Sequence, residues 1–441
     1  MSMFQRSLLC AAVLASLAAP AVAGGAQLGT VASLADTTDQ FVVTWKAGAA
    51  GLDAEATASV LAESGLSVRF QRGDKLRLDR RVPHAEADRL AEALRRADPR
   101  IAEIHADRWA TIQTVPNDPR WADQWHYHEQ TAGIRLPKAL DKSTGAGVVV
   151  AVLDTGYRPH ADLAANLVPG YDMIIDTAVA NDGDGRDADA QDPGDGCGGQ
   201  STWHGTHVAG TIAAKTNNAT GVAGIAFNAK VQPVRVLGCG GGYFSDIVDG
   251  ITWASGGTVA GVPANPTPAR VINMSLSGGG ACPSSLQTAI NGAVARGTVV
   301  VVAAGNNNSN AANYAPANCD KVITVASVNR SGARAWYSNY GAKVEIAAPG
   351  GDTSGNRANG VLSTLNDGVS QPGNDSYAYY QGTSMAAPHV AGVVALMLAN
   401  RPNWTPAKVL TRLQATARPF PGVCNQCGSG IVNAGAAVPK P

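Results

Sequence analysis

The 441-residue sequence predicts an α/β fold, a mostly parallel sheet covered by helices on both faces, preceded by a smaller α+β unit. Two patterns carry this expectation. After about residue 115, runs rich in Val and Ile alternate with helix-like stretches, and such near-continuous apolar strands suit a parallel sheet buried on both sides. Before that point the composition is different: 25 of the 93 residues in 24–116 are charged, against 42 of the 325 that follow. A chain of this length exceeds one typical domain, so two folded units are expected.

From the N-terminus, "MSMFQRSLLCAAVLASLAAPAVAGG" joins one early Arg to an apolar stretch of small residues closing on "AVA". This is the pattern of a secretory signal peptide, residues 1–23, and its apolar core is too short for a membrane anchor. Next, "FVVTWK" reads as a strand, and a helix follows with Asp53 as its N-cap. "LSVRFQ" and "KLRLDR" flank "RGD" as a hairpin. "PHAEADRLAEALRRAD" has apolar residues at helical spacing, with Pro83 suited to the first turn, and "IAEIHADR" returns to a strand. The order β-α-β-β-α-β is ferredoxin-like. Residues 114–127, with two prolines among polar neighbours, read as a linker. Buried strands are then expected at 147–154, 229–237, 270–277, 298–305 and 321–328.

The formal net charge is zero, without a long block of like charge, which argues against a nucleic-acid partner or a polybasic membrane contact. Cys10 lies in the signal stretch. The other six cysteines form an even set in an exported chain, which implies disulfides, although spacing alone does not choose their partners.

Three segments place reactive side chains at strand ends or helix starts. Asp154 closes a strand in "VAVLDTG", His204 opens a small-residue helix in "WHGTHVAG", and Ser384 precedes a long apolar run in "GTSMAAPHVAG". Singly, each has an ordinary reading as a loop cap, a packed histidine or an N-cap. Together they supply a nucleophile, a base and a carboxylate that fixes the base's tautomer. An α/β-hydrolase esterase needs G-x-S-x-G and the order Ser, Asp, His; this chain has neither. "VLDTG", "HGTHVAG" and "GTSMAAPHVAG" closely match the three active-site motifs of the subtilisin-like serine proteases, and the resemblance runs over about 121–437.

That resemblance implies a serine endopeptidase acting on protein and peptide substrates, with Asp154, His204 and Ser384 as the triad and His207 as a packed neighbour. It selects Asn306, in "AAGN", as oxyanion donor. It makes Ser275, Leu276, Ser277 and Gly278 a substrate-binding strand, with Ala303, Ala304 and Gly305 lining the pocket before the cut bond. Residues 24–116 become a ferredoxin-like propeptide that assists folding and inhibits in cis, and 117–441 the catalytic domain of a secreted, monomeric enzyme. Its closing segment, "GSGIVNAGAAVPKP", resembles the usual close of that domain, so no appended module is expected. A catalytically silent binding protein of the same family is disfavoured because all four active-site residues are present.

Eight Asp lie between Tyr171 and Gly199, and "DGDGRDAD" spaces oxygen donors at alternate positions. Structural calcium is expected there, the alternative being a merely solvated turn, with Asp182, Asp184 and Asp192 as ligands, the Arg186 carbonyl beside them, and Asp187 and Asp189 as further candidates. The expected disulfides pair neighbours in chain order: Cys197–Cys239, Cys282–Cys319 and Cys424–Cys427.

Overall fold

The computed structural model describes residues 37–108 and 115–441. The signal-peptide reading of 1–23 lies outside them. The chain separates into two compact units, Met1–Thr111 and Ile112–Pro441.

In the first unit β1 (Thr37–Trp45), β2 (Val68–Arg72), β3 (Lys75–Pro83) and β4 (Ile101–Ala106) form an antiparallel sheet of order β2-β3-β1-β4. This is the split β-α-β arrangement that the element order predicts. Helices Ala54–Ala62 and His84–Ala97 supply its other layer, and Phe41, Leu61, Leu76, Leu78, Leu90 and Leu94 fill the core. Asp53 caps the first helix by accepting from the N–H groups of Glu55 and Ala56. Pro83 ends β3 rather than entering the second helix. Gly73, at φ +60°, turns the hairpin where "RGD" stands.

The second unit is built on seven parallel strands: β5 (Val149–Asp154), β6 (Tyr171–Asp172), β7 (Lys230–Arg235), β8 (Val271–Met274), β10 (Val299–Ala303), β12 (Ile323–Val328) and β13 (Ile346–Pro349). Their order is β13-β12-β10-β8-β5-β7-β6. Short pairs outside this sheet are β9 (Gly278–Gly279) with β11 (Tyr314–Ala315), and the hairpin β14 (Val361–Asn366) with β15 (Asp375–Tyr380).

Strand alternation explains why the central strands are apolar throughout. Val150 and Val152 face one core with helices His204–Ala213 and Thr383–Asn400. Ala151 and Leu153 face the other, with helices Phe244–Ala254 and Ser284–Ala295. Helix Thr383–Asn400 is long and apolar enough to cross a bilayer by composition, yet it is 83% buried inside this unit. It is a core helix.

The linker reading of 114–127 needs correction from Asn117 onward. Trp121, Trp125 and Tyr127 are buried, and Trp125 Nε1 donates to the Gly360 carbonyl at 2.8 Å. Asn117 and Asp118 are also bound to the 217–219 segment of the second unit. Three disulfides close loops of this unit: Cys197–Cys239, Cys282–Cys319 and Cys424–Cys427.

Candidate active site

Strand order leads to the site. From β5 the chain runs to the edge strand β6, comes back to β7 beside β5, then crosses to β8 on the other side, so β5 and β8 straddle a topological switch point. In open α/β sheets the crevice beyond the carboxyl ends of the strands at such a point is where ligands bind. Asp154 is the last residue of β5, Ser275 follows the end of β8, and Asn306 lies just past β10.

Asp154 is fully buried, and its Oδ1 accepts from the Thr155 N–H at 2.8 Å. The same oxygen lies 2.7 Å from His204 Nδ1. A carboxylate only accepts, so Nδ1 carries the imidazole proton and Nε2 is the basic nitrogen. Burial opposes charge on His204, but Asp154 outweighs it, with Asp195 and Asp192 adding, so its pKa stands above the ordinary value. Helix His204–Ala213 starts hard against this segment: a Cβ on Gly205 would lie 2.0 Å from the Gly156 carbonyl oxygen. Thr155 links the two, since its hydroxyl accepts the Gly205 N–H at 3.1 Å and donates to Asp192 at 2.7 Å.

Ser384 is the second residue of helix Thr383–Asn400, so the positive end of the helix dipole lies at Ser384. Its hydroxyl donates to the Ser275 carbonyl at 3.1 Å, and Ser275 Oγ donates back to the Ser384 carbonyl at 2.8 Å. Among the described residues no hydrogen bond joins Ser384 to His204. Asn306 has its carbonyl end occupied: Oδ1 accepts both the N–H (2.9 Å) and the hydroxyl (2.8 Å) of Thr383. Its NH2 is thereby the end left for another acceptor.

The remaining sequence candidates divide. Ser277 lies beside Gly305, where an added Cβ would be 3.1 Å from Ser277 Oγ, and Gly278 pairs with Ala315. Leu276 is buried in the core, and Ser275 acts as the clamp on Ser384. Ala303 and Ala304 are buried behind Gly305, contributing backing rather than an open wall. His207 is fully buried, with Nε2 between the carbonyls of Val361 (3.1 Å) and Ala378 (3.0 Å), and burial pushes its pKa down to about 3. It is a packed histidine.

The acidic loop lines a cavity of about 400 Å³ with Asp182, Asp184, Asp187 and Asp189. Alternation there makes local turns: Asp182, Asp187, Asp189 and Asp192 each accept an N–H two residues on. Asp182 also pairs with Arg235, which is buried and shared with Asp172. Burial pushes Asp187 upward, and the charges of Asp184, Asp189 and Asp182 push the same way. Asp192 is the correction: it is buried away from the cavity, with its oxygens taken by Thr155 and Gly194. Arg186 sends its guanidinium to Asp246 and Asp249. No set of three or more His, Cys, Asp or Glu is gathered for a metal ion among the described residues.

Residues 145–430 match the subtilase family. The chain is a subtilase. It is 50% identical over 450 residues to an extracellular protease of Xanthomonas campestris pv. campestris, across 96% of this chain and 76% of that one. Subtilisin BL of Lederbergia lenta is 38% identical, across 69% of the subtilase described here and 96% of its own length. A solved protease structure from Pseudoalteromonas arctica superposes with a TM-score of 0.73 at 61% identity, covering 74% of this subtilase and 99% of that chain. The enzyme is thus a serine endopeptidase with the subtilisin-like α/β fold.

Sequence reasoning missed Thr383, Ser275 as a clamp, the Thr155–Asp192 link and the buried pair His126–His389, whose ring nitrogens lie 2.8 Å apart. Each depends on partners far along the chain, and no local pattern marks it.

Proposed function

We propose that this subtilase is a secreted, self-processing endopeptidase in which Asp154, His204 and Ser384 cleave peptide bonds through an acyl-enzyme. The observation that carries the reading is the His204 Nδ1–Asp154 bond, which leaves Nε2 as the basic nitrogen. Rotation of the Ser384 hydroxyl from the Ser275 carbonyl toward Nε2 precedes attack, since catalytic hydrogen bonds commonly tighten only with substrate bound. His204 takes the Ser384 proton as Oγ attacks the carbonyl carbon. It returns that proton to the leaving amine, and water then repeats the sequence on the ester. The NH2 of Asn306 and the N–H of Ser384 receive the oxyanion. Ser275, Leu276, Ser277 and Gly278 hold the peptide extended, with Gly305 at the pocket.

Residues 1–23 are the signal peptide, 24–116 the inhibitory and folding-assisting propeptide, and 117–441 the monomeric catalytic domain. The hydrogen bonds of Asn117 and Asp118 within the second unit favour a cut before Asn117. Asp184, Asp187 and Asp189, which line the cavity at the acidic loop without being gathered about one point, would hold a calcium ion on drawing together, with Asp182 shared with Arg235. Its contribution there would be charge neutralisation and stability, since the triad chemistry needs no metal. The test is fluorophosphonate labelling and SDS-PAGE of wild type and Ser384→Ala. Labelling of wild type alone, with an unprocessed Ser384→Ala chain, is expected; equal processing of both refutes self-cleavage.

A further inference from the structure

We propose that Asn339 is a positioning residue for the oxyanion donor, holding the 304–309 turn so that Asn306 meets the developing charge; this rests on the role given to Asn306 above. Asn339 is fully buried. Its Oδ1 accepts the N–H groups of Asn307 (2.9 Å) and Ser309 (3.0 Å), and its Nδ2 donates to the Ala304 carbonyl (2.9 Å). Its backbone N–H donates to the Gly305 carbonyl at 2.9 Å. These four bonds bracket Asn306 on both sides without touching it.

The chemistry suits asparagine. One planar group supplies an acceptor for two N–H groups and a donor for a carbonyl; aspartate lacks the donor, and glutamine reaches a methylene too far. The partner surface is shaped to match. Gly305 sits at φ +101°, and a Cβ there would lie 2.4 Å from Asn339 Nδ2, so the amide lies against bare backbone. On the other side the Thr383 hydroxyl accepts the Gly305 N–H at 3.1 Å and donates to Asn306 Oδ1. Asn306 is therefore held by Thr383 through its side chain and by Asn339 through its backbone. An oxyanion donor works only where the charge appears, so loosening the turn weakens transition-state binding while the triad keeps all its atoms.

The test is a double-mutant cycle of Asn339→Ala and Asn306→Ala, with Asn339→Asp as a near-isosteric variant. Full-length chains are matured in trans by immobilised wild-type enzyme, which is removed before assay. Asn339→Ala is expected to lower kcat by about 10- to 100-fold with KM within about threefold, and to weaken a peptide aldehyde inhibitor by a similar factor. In the Asn306→Ala background it should lower kcat by less than about twofold. Asn339→Asp should fall between wild type and Asn339→Ala, and it carries the same cycle if the alanine variant fails to fold. Equal losses in both backgrounds, or unchanged kcat in both Asn339 variants, overturn the proposal. Wild-type kcat in Asn306→Ala overturns instead the role of Asn306.

Discussion

Replacing Thr383 by valine keeps the shape of a fully buried side chain and removes its hydroxyl. Two bonds go: the Gly305 N–H loses its acceptor, and Asn306 Oδ1 keeps only the Thr383 N–H. A buried N–H left without a partner costs about 1–3 kcal/mol. For a unit of this size, with unfolding entropy of roughly 2.1 cal/mol/K per residue, that lowers the melting temperature by about 1.5 °C per kcal/mol, hence about 2–5 °C in all. The kinetic effect is bounded by outright loss of an oxyanion donor, on the order of 10²–10³ in kcat, a range taken from subtilisin itself. With one of two anchors left, about a tenfold loss is expected, and Thr383→Ser should restore most of it. The assay is steady-state hydrolysis of a chromogenic peptide, with melting of the covalently inhibited enzyme. If Thr383→Val keeps kcat within twofold of wild type while Asn306→Ala loses at least a hundredfold, the hydroxyl does not hold the amide and the reasoning fails.

Asp195→Asn should move the acid limb of the kcat/KM profile to lower pH, because Asp195 raises the pKa of His204, which must be neutral to act as base; an upward or absent shift contradicts this. Chelation by EDTA should lower the melting temperature, and Asp184→Asn with Asp187→Asn should abolish that difference; an unchanged difference in the double variant removes calcium from this loop. Burial pushes His389 down to about 4. The unfolded chain therefore takes up the proton first, and the stability this group contributes, about 3 kcal/mol, is full above pH 6.5 and lost as pH falls toward 4. His389→Gln should flatten the denaturant-measured stability slope across that window relative to wild type, and parallel slopes would exclude the assignment.

What was legible in the sequence follows from range. The Val and Ile runs of β5, β7, β8, β10 and β12 announce themselves because both faces of each strand are buried. β6 has two residues and β13 reads "IAAP", too short and too alanine-rich to stand out. In 114–127 prolines and polar residues dominate the local pattern, whereas Trp121, Trp125 and Tyr127 are decided by what they pack against. Asp154, His204 and Ser384 stood out because each sits in a distinctive motif. Asn339 and Thr383 did not, since their bonds reach 30 to 78 residues away. In the acidic loop alternate Asp spacing suits both turns and ligands, and Asp192 belongs to the first use alone.

The reciprocal bonds between Ser275 and Ser384 join the proposed substrate strand to the proposed nucleophile. A peptide that seats poorly along 275–278 would tug on the Ser384 backbone through the Ser275 Oγ bond to its carbonyl, which persists when the hydroxyl turns away. Discrimination among substrates would then register in turnover as well as in affinity, even for side chains remote from the scissile bond.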